Sequence, residues 1–474
     1  MKLNTLTLNQ AITRLRRKEI SLDELYKDIH EAIAQNNAKF NIYLALDHEA
    51  KIKAQEAINK PLAGVPIAVK DNFLTAGLET TASAKVLAGF KPPYESTVTD
   101  RLKEAGGVIV GKTNMDAWAH GSSTETSDFG PTKNPRNPEY LPGGSSGGST
   151  AAVAANLCLA AIGSETAGSI RQPAAWCGVV GLKPTYGRVS RAGIVAMGSS
   201  LDSPGPMGKT VRDCAFLLNF IAGKDKYDAT TATKPVPDYT KVLERGVKGL
   251  KIGICYMDHP KIKGTVLDRA VKKAGRVLAS LGADVNEVSL SYQLKPGKIL
   301  TPDYAIGVYT VVQRSEVSSN LARYDGIRYG HERSAFAAEA KRRIMLGTFN
   351  LTKGYADRYY VRAQQVRSLY IKNFRQLFSQ YDVLISSPSP GYALPLGASA
   401  GDPMFGELQD MLVEPSSLAG NTGISVPCYR DPTTNLYLGL NIMADQWQEE
   451  KILRVAYAYE QATQWNEWAV KERG

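Results

Sequence analysis

Two serine-rich turns and one lysine have residue types that could together activate a hydroxyl for attack on a carbonyl. The turns are residues 142–150, PGGSSGGST, and residues 163–173, GSETAGSIRQP, and Lys70 follows the apolar segment 65–69, VPIAV. Serine needs a base to remove its proton, and a neutral lysine serves in Ser-Lys arrangements. The chain has only five histidines, so a lysine base is the available alternative. Taken alone, Lys70 reads as a surface residue; as a base it must be buried, because burial lowers the pKa of a lysine.

The second turn could also supply an oxyanion hole. It follows a predicted strand and precedes residues 174–176, AAW, so Ser169 lies at a strand-to-helix transition. The backbone N–H groups of Thr166, Ala167, Gly168 and Ser169 could converge on one point there, as stabilisation of an oxyanion requires. A helix cap is the alternative interpretation for Ser169 taken alone.

Three other interpretations of the glycine-rich stretches are weaker. Residues 106–113 match the phosphate-loop pattern, but residues 107–110, GVIV, predict a strand that cannot wrap a phosphate. Residues 143–147 fit G-x-S-x-G, whose chemistry needs a downstream histidine, and only His259 and His331 follow, in undistinctive contexts. Residues 142–150 could also be a flexible linker. A linker is expected between polar neighbours, whereas this stretch has apolar ones.

The elements that must position these turns predict an α/β fold. Residues 1–58 have helical spacing, and Ser21 and Glu24 form a capping-box signature. Later in the chain, short β-branched runs alternate with helical stretches, which is typical of helices covering a largely buried sheet. The predicted strands are residues 67–69, 108–110, 157–162, 250–254, 383–385, 424–426 and 436–442.

Four other stretches have distinct patterns. A helix is predicted to begin after Thr265 and to end at Gly282. Residues 151–156 predict a small-residue helix, residues 324–343 predict a basic helix with a solvated face, and residues 223–238 predict a polar connection across the surface of one fold. The apolar stripe of the helix after Thr265 consists of Leu267, Val271, Ala274, Leu278 and Leu281.

Composition limits the class of protein. The 474 residues are 43% hydrophobic and 22% charged, so the chain can build a large core and is not disordered. A net charge of +11 favours acidic or phosphate-rich neighbours without identifying them. Five cysteines with no CxxC pair predict reduced, buried thiols. With no leader-like start and no apolar stretch of spanning length, we expect a cytoplasmic protein without membrane contact.

The sequence resembles the amidase signature family over nearly its whole length. The resemblance implies that family's fold, an α/β structure with a large mixed β-sheet covered by helices on both faces. It also implies one domain over residues 1–474, in which 1–58 form an N-terminal helical segment, 62–222 the signature core, and 240–474 the rest of the sheet with its covering helices. The matching segments are GVPIAVKDN, GKTNMDAWAHGSSTETSDFG, PGGSSGGST, IRQPAAWCGVVGLKPTYGRVSRAG, VKGLKIG, SSNLARYDGIRYG, KRRIMLGTF and LRVAYAYEQAT.

The resemblance assigns roles to the residues of the two turns. Ser169 is the nucleophile, Ser145 is a proton relay that follows a cis peptide bond, and Lys70 is the base. The N–H groups of residues 166–169 form the oxyanion hole. The resemblance implies no metal and no cofactor in this chain.

Within the family, the sequence is most similar to the glutamine-hydrolysing subunits of tRNA-dependent amidotransferases. This similarity implies that Ser169 attacks the side-chain amide of free glutamine, that ammonia leaves, and that water releases glutamate. Glutamine carries an α-carboxylate and an α-ammonium, so a selective pocket needs a fixed cation and a fixed anion. The resemblance assigns these to Arg343 and Asp410, with Tyr309 as a wall of the pocket.

The resemblance also implies partner subunits. In these enzymes the ammonia reaches a B subunit, which uses ATP and Mg to convert Glu-tRNA(Gln) to Gln-tRNA(Gln) or Asp-tRNA(Asn) to Asn-tRNA(Asn), while a small C subunit wraps the pair. The assembly is a carbon–nitrogen ligase of translation with glutamine as the amido donor, and it contacts tRNA mainly through the B subunit. A stand-alone amidase that cleaves another small amide and a catalytically dead binding protein remain alternatives.

Four departures from the family pattern are present. Ala167 replaces a glycine of the oxyanion turn but keeps its N–H, so activity should survive. His120 stands where the family usually has methionine, and a packed histidine is favoured over one that tunes substrate fit. The segment 202–204, DSP, replaces Asp-Gln-Ile, and the segment 329–341 is shorter than usual. These two changes concern partner contacts and the ammonia route.

Overall fold

The centre of the computed structural model is an 11-stranded mixed β-sheet, and the structure describes residues 2–256, 259–327 and 331–465. Two further strands form a separate hairpin. The strands are β1 Tyr43–Leu46, β2 Pro66–Lys70, β3 Val108–Thr113, β4 Ala160–Glu165, β5 Val180–Lys183, β6 Ser203–Gly208, β7 Lys251–Ile254, β8 Asp284–Glu287, β9 Tyr292–Lys295, β10 Lys298–Leu300, β11 Val383–Ser386, β12 Thr422–Arg430 and β13 Tyr437–Ala444.

Strand order across the sheet is β1-β3-β2-β4-β6-β5-β12-β13-β11-β7-β8, and the hairpin is β9-β10. β2 runs parallel to β3 and β4, and β7 runs parallel to β8 and β11, whereas the other neighbours in the sheet are antiparallel. Every residue of β2, β3, β4 and β13 is buried. Because successive side chains of a strand point to opposite faces, both faces of this part of the sheet are covered.

Helices connect and cover the strands. The predicted capping box is confirmed, since the Ser21 hydroxyl accepts from the Glu24 N–H and the Glu24 carboxylate accepts from the Ser21 N–H. Thr265 caps its helix as predicted. The helices of the described residues are α1 Leu8–Arg16, α2 Leu22–Phe40, α3 Ala50–Ala57, α4 Thr97–Glu104, α5 Gly147–Ala154, α6 Arg171–Cys177, α7 Val211–Ile221, α8 Val266–Ser280, α9 Tyr304–Leu321, α10 Ala338–Leu351, α11 Arg362–Phe378, α12 Phe405–Asp410, α13 Glu414–Leu418 and α14 Glu449–Thr463.

The β-branched runs located the buried strands, and each of the seven predicted strands overlaps an observed one. The strand predicted at residues 157–162 begins instead at Ala160, because the preceding residues form a turn after α5. Strands β1, β5, β6, β8, β9 and β10 were not predicted. β6 has the sequence SPGPMG, whose proline and glycine are disfavoured in strands, so propensity hides it.

Three helix predictions are corrected. The helix expected at residues 151–156 begins at Gly147, inside the glycine-rich run, and ends at Ala154. Leu281 is 38% exposed rather than buried, because α8 ends one residue before it. Residues 324–343 are not one helix: the left-handed angle of Gly326 supports a turn, and α10 begins only at Ala338. Within the shortened segment, residues 329 and 330 lie outside the described residues.

The polar connection at residues 223–238 is held on the surface by side-chain bonds. Asp225 accepts hydrogen bonds from Ser190 Oγ and Thr97 Oγ1, and Asp228 pairs with Arg191 at 3.0 Å. All five cysteines are buried, as predicted. Among the helices of the described residues, none combines the length and the apolar character that a membrane crossing needs.

Candidate active site

The fold brings the three predicted catalytic side chains to one place. Lys70 is the last residue of β2, Ser145 lies in the loop before α5, and Ser169 lies in the turn between β4 and α6. β2 and β4 are neighbours in the sheet. The two turns are joined directly, since the Ser146 N–H donates to the Ser169 carbonyl at 3.1 Å. The strand ends therefore position the site.

The Lys70 amine is fully buried among oxygen atoms. Its Nζ lies 2.7 Å from Ser145 Oγ, 3.0 Å from the Ser164 carbonyl oxygen and 3.1 Å from Ser164 Oγ. Burial lowers the pKa of Lys70 to about 7, although the charges of Asp116, Asp202 and Glu165 act to raise it. The predicted burial of Lys70 is confirmed, and its role as a base stays a prediction.

Ser164 directs the lone pair of this amine. A neutral amine has two N–H donors and one lone pair, so its three contacts cannot all be donated bonds. The Ser164 carbonyl can only accept, and Ser164 Oγ also accepts from Asn72 Nδ2 at 2.9 Å. When both N–H groups point to Ser164, the lone pair faces Ser145 Oγ and can accept its proton. Sequence reasoning included Ser164 in the turn but gave it no role.

A close approach at Gly144 shapes the loop that carries Ser145. The Gly144–Ser145 peptide bond is cis, as the family resemblance predicted. A Cβ at Gly144 would lie 2.1 Å from Asp116 Oδ2 and 2.7 Å from the Ser123 nitrogen, so only glycine fits. The Gly144 N–H donates to Gln172 Oε1 at 3.1 Å. This packing holds the loop between residues 116–123 and α6.

Ser169 opens on a cavity beside this loop. Ser169 is 4% exposed, and it lines the cavity together with Met197 and Gly406. In the described part of the chain, the hydroxyls of Ser145 and Ser169 make no hydrogen bond to each other. The Lys70–Ser145 step of the predicted relay is formed here, and the Ser145–Ser169 step needs the hydroxyls to approach, as catalytic contacts often tighten around a substrate.

The turn at residues 166–169 keeps its backbone N–H groups unpaired. Among the residues that the structure describes, none of these four groups donates to a protein acceptor. By contrast, the next two N–H groups, of Ile170 and Arg171, both donate to Glu165 Oε2 at 3.0 Å. Unpaired buried N–H groups are rare, and an oxyanion hole requires them. The turn can therefore accept a negative oxygen.

A buried ion pair supports this turn from behind. Arg171 Nη2 lies 2.6 Å from Glu165 Oε1 and also donates to the Ala167 carbonyl and to Ser417 Oγ. Ser417 Oγ donates to the same carbonyl at 2.6 Å. Ala167 does not have a left-handed backbone angle, so alanine fits where the family has glycine. The sequence analysis gave no role to Glu165, Arg171 or Ser417. The turn that contains Glu165 and Arg171 was interpreted only for Ser169, and Ser417 is 250 residues from its partner Ala167.

The three predicted substrate-binding residues, Tyr309, Arg343 and Asp410, line the same cavity as Ser169. Tyr309 Oη contacts Thr166 Oγ1 at 3.0 Å, which joins the wall of the cavity to the oxyanion turn.

Arg343 is held by acidic and amide side chains. Its Nε lies 2.5 Å from Glu339 Oε1, its Nη1 donates to Gln313 Oε1 at 3.1 Å, and its Nη2 lies 3.8 Å from Glu407 Oε1. Glu407 also pairs with Arg314 at 2.8 Å. Burial acts to lower the pKa of Arg343, but Glu407 and Glu339 outweigh burial and raise that pKa. The predicted solvated face is wrong for Arg343, which is 4% exposed.

Asp410 has one free oxygen. Its Oδ2 accepts from Ser122 Oγ at 2.9 Å, whereas its Oδ1 has no hydrogen-bond partner among the described residues. A Cβ at Gly168 would lie 2.3 Å from that free Oδ1, so the carboxyl lies directly beside the oxyanion turn. Burial raises the pKa of Asp410 well above its ordinary value, and the Ser122 hydrogen bond opposes burial only in part. A cation beside Oδ1 would restore the charged form.

His120 lies behind the cavity wall. It is 1% exposed, and within the described residues neither ring nitrogen has a hydrogen-bond partner. Burial, followed by the charge of Arg343, lowers the pKa of His120 well below its ordinary value, so the imidazole is neutral. The cavity is lined by the next two residues, Gly121 and Ser122.

In the part of the chain that the structure describes, no cluster of three or more His, Cys, Asp or Glu could hold a metal ion.

Comparison with known proteins identifies the class. The family described as Amidase matches residues 21–453, and the chain belongs to this family. Among its relatives, the A subunit of the glutamyl-tRNA(Gln) amidotransferase of Lachnospira eligens is 45% identical, and the match covers 98% of this chain and 99% of the relative.

Solved structures share the fold. The crystal structure of the A subunit of the glutamyl-tRNA(Gln) amidotransferase from Thermotoga maritima has a TM-score of 0.81 at 37% identity and covers 97% of this chain and 95% of that one. A 6-aminohexanoate cyclic dimer hydrolase complexed with substrate has a TM-score of 0.87 at 26% identity, with 98% of each chain covered. The predicted family and the predicted mixed sheet with covering helices are confirmed.

Proposed function

We propose that this chain is the glutamine-hydrolysing subunit of a tRNA-dependent amidotransferase. The observation that carries the proposal is the buried Lys70 amine, 2.7 Å from Ser145 Oγ, next to a cavity lined by Ser169, Arg343 and Asp410. The match to a named amidotransferase subunit over 98% of this chain supports the same assignment.

The reaction begins with proton transfer. Neutral Lys70 takes the proton of Ser145 Oγ, which takes the proton of Ser169 Oγ as Ser169 attacks the amide carbon of glutamine. The oxygen of the tetrahedral intermediate accepts hydrogen bonds from the N–H groups of residues 166–169. Protonated Lys70 then returns a proton through Ser145 to the leaving nitrogen, and ammonia departs. Water attacks the resulting ester by the same proton route, which releases glutamate and restores Ser169.

The lining of the cavity offers a partner of opposite charge for each charged group of the substrate. Arg343 keeps its charge and binds the α-carboxylate, and the free Oδ1 of Asp410 binds the α-ammonium. Tyr309 limits the width of the cavity. The side-chain amide of glutamine then extends toward Ser169.

The partner assignments follow from the same proposal. The ammonia is consumed by a B subunit that uses ATP and Mg and carries most of the tRNA contact, and a small C subunit stabilises the pair. The products are Gln-tRNA(Gln) or Asn-tRNA(Asn), made in the cytoplasm. Residues 1–474 act as one domain, and no cofactor is held by this chain.

Ammonia release from free glutamine tests the proposal. We expect Ser169→Ala to abolish release, and Arg343→Ala and Asp410→Asn to raise the KM for glutamine by about 100-fold, because each leaves one substrate charge unpaired in a buried site. Arg342→Ala is the matched control, since Arg342 is half-buried beside Arg343 and does not line the cavity. Its KM should stay within twofold.

A stand-alone amidase is the second candidate. The TM-score of 0.87 to a cyclic-dimer hydrolase favours it, because the same fold serves a substrate other than glutamine. Equal turnover of glutamine and an uncharged amide such as hexanamide, unaffected by Arg343→Ala, would select this candidate. Glutamine-specific release would exclude it.

A further inference from the structure

Exposed apolar side chains are concentrated on one segment of the surface. Of the 17 large hydrophobic side chains that are exposed in the described residues, seven lie between residues 345 and 361. A concentration of this kind marks an interaction site, whereas scattered exposed residues do not. We call this segment the 345–361 surface; its exposed apolar members are Met345, Leu346, Phe349, Leu351, Tyr355, Tyr359 and Val361.

Five of the seven members of this surface lie next to one another. Met345, Leu346 and Phe349 are spaced three and four residues apart on α10, so they share a helix face. The Phe349 ring lies 4.6 Å from that of Tyr355 and 5.7 Å from that of Tyr359, between ring centroids. The outer face of α10 and the rings of Tyr355 and Tyr359 therefore present one apolar patch.

Exposed basic residues lie within the 345–361 segment and beside it. Lys341, Lys353, Arg358 and Arg362 are all exposed, and none of them makes an ion pair within residues 2–256, 259–327 and 331–465. Asp357 is the exposed acid within the same stretch. A partner surface that complements this arrangement has apolar side chains at its centre and acidic side chains at its rim.

The same helix reaches the active-site cavity. Arg343 lies on the buried face of α10 and lines the cavity, whereas Met345 is 71% exposed on the outer face. A helix with its side chains is about 10–12 Å across. A protein on the 345–361 surface would therefore lie about one helix diameter from the glutamine pocket.

We propose that the 345–361 surface is the docking site for the ATP-using partner subunit, an inference that rests on the proposed function. Ammonia released at Ser169 must reach the partner without escaping to water, so the partner must dock close to the cavity. The patch suits a protein better than RNA. Four of its seven members are aliphatic, and its aromatic rings pack against each other instead of offering free faces for base stacking.

Binding of the full-length chain to the purified ATP-using partner subunit from the same organism tests this inference. We expect Met345→Glu to weaken binding by at least 100-fold, because it places a charge in the apolar centre of the patch. Arg358→Glu should weaken binding by about tenfold and reduce its dependence on salt. Ile52→Glu, at a 66% exposed position on α3, is the matched control and should change affinity less than twofold.

Two further readouts separate the outcomes. Thermal unfolding and glutamine hydrolysis by the isolated Met345→Glu chain should match the wild type, which shows that the fold is intact. Equal partner affinity of all variants would overturn the docking site and leave the proposed function standing. A wild-type chain that binds no partner and hydrolyses unrelated amides would overturn both. Loss of self-association, or of affinity for purified tRNA, with partner binding retained would assign the surface to a second copy or to RNA and overturn the inference.

Discussion

Two buried lysines lie on neighbouring strands, and their surroundings differ. Lys70 ends β2 and Lys112 is the next-to-last residue of β3, and both are 0% exposed. Lys112 is opposite Val69 in the sheet, so the two amines project to opposite faces. Lys70 contacts serine oxygens, whereas Lys112 lies 3.7 Å from Asp71 Oδ1 and donates to Thr80 Oγ1 at 2.8 Å.

Their pKa values alone do not separate the two lysines. Burial lowers the pKa of Lys70 to about 7 and that of Lys112 to about 8. Their partners do separate them. An ionised Asp71 has no proton to give and the Thr80 hydroxyl donates its proton to the Leu78 carbonyl, whereas the Ser145 hydroxyl has a proton that a neutral amine can accept. A lowered lysine pKa indicates a base only where a proton donor faces the amine.

Replacing Lys70 should have the largest effect on catalysis. We expect Lys70→Met to lower kcat for glutamine by about 10⁴-fold, as loss of a member of such a triad does. The free energy of unfolding should change by less than about 1.5 kcal/mol, since the side chain is similar in volume and Ser164 keeps its contacts with Asn72 and Ser146. Ammonia assays and urea titration measure both quantities. Activity within tenfold of the wild type would contradict Lys70 as the base.

Replacing Lys112 should act on stability instead. Lys112→Met leaves the buried Asp71 without its ion-pair partner, and we expect the free energy of unfolding to fall by about 3 kcal/mol in urea titration. The folded fraction should keep kcat within threefold. The double variant Asp71→Asn/Lys112→Met is the control and should regain much of the loss. Wild-type stability combined with lost activity would reverse the roles of the two lysines.

The pH dependence of the reaction should follow Lys70. Because the proposed reaction needs the neutral amine, kcat/KM should fall about tenfold per pH unit below about 7 and level off above it. Lys112→Met should keep the same acidic limb in a pH–rate profile. A limb that shifts in that variant would place Lys112, not Lys70, in the proton path.

Removing the hydroxyl of Ser164 should have the smallest effect. Ser164→Ala deletes one hydrogen bond that orients Lys70, worth about 1 kcal/mol, so kcat/KM should fall about five- to tenfold. Thr80→Val removes the corresponding contact of Lys112 and should leave kcat/KM unchanged. Steady-state kinetics on the two variants makes this comparison, and equal losses would show that orientation of Lys70 is unimportant.

Local pattern predicted much of the scaffold. The β-branched runs located β2, β3 and β4, and the polar caps Ser21 and Thr265 marked two helix starts. Propensity failed at β6, which pairs between β4 and β5 despite its prolines, because neighbouring strands override weak local preference.

Family resemblance, rather than spacing, located most of the site. Residue types singled out Lys70 and the two serine-rich turns. The resemblance assigned the roles of Lys70, Ser145 and Ser169 and added the three cavity residues, which the structure brings together. It gave no role to Ser164, and neither resemblance nor pattern indicated Glu407. From the sequence, a glutamate on a helix is interpreted as a surface acid. Only the structure shows that Arg314 and Arg343 both pair with Glu407.

The sequence by itself determined the strands, the caps and the glycines that permit tight turns, because those depend on residues a few positions apart. Only the tertiary structure decided which buried lysine faces a serine and which faces a carboxylate. The Lys70 contacts span 75 and 94 residues of chain, and the Arg314–Glu407 pair spans 93. Contacts between residues so far apart in the chain depend on how the sheet is assembled. These contacts give a buried lysine a different chemistry on each face of the sheet.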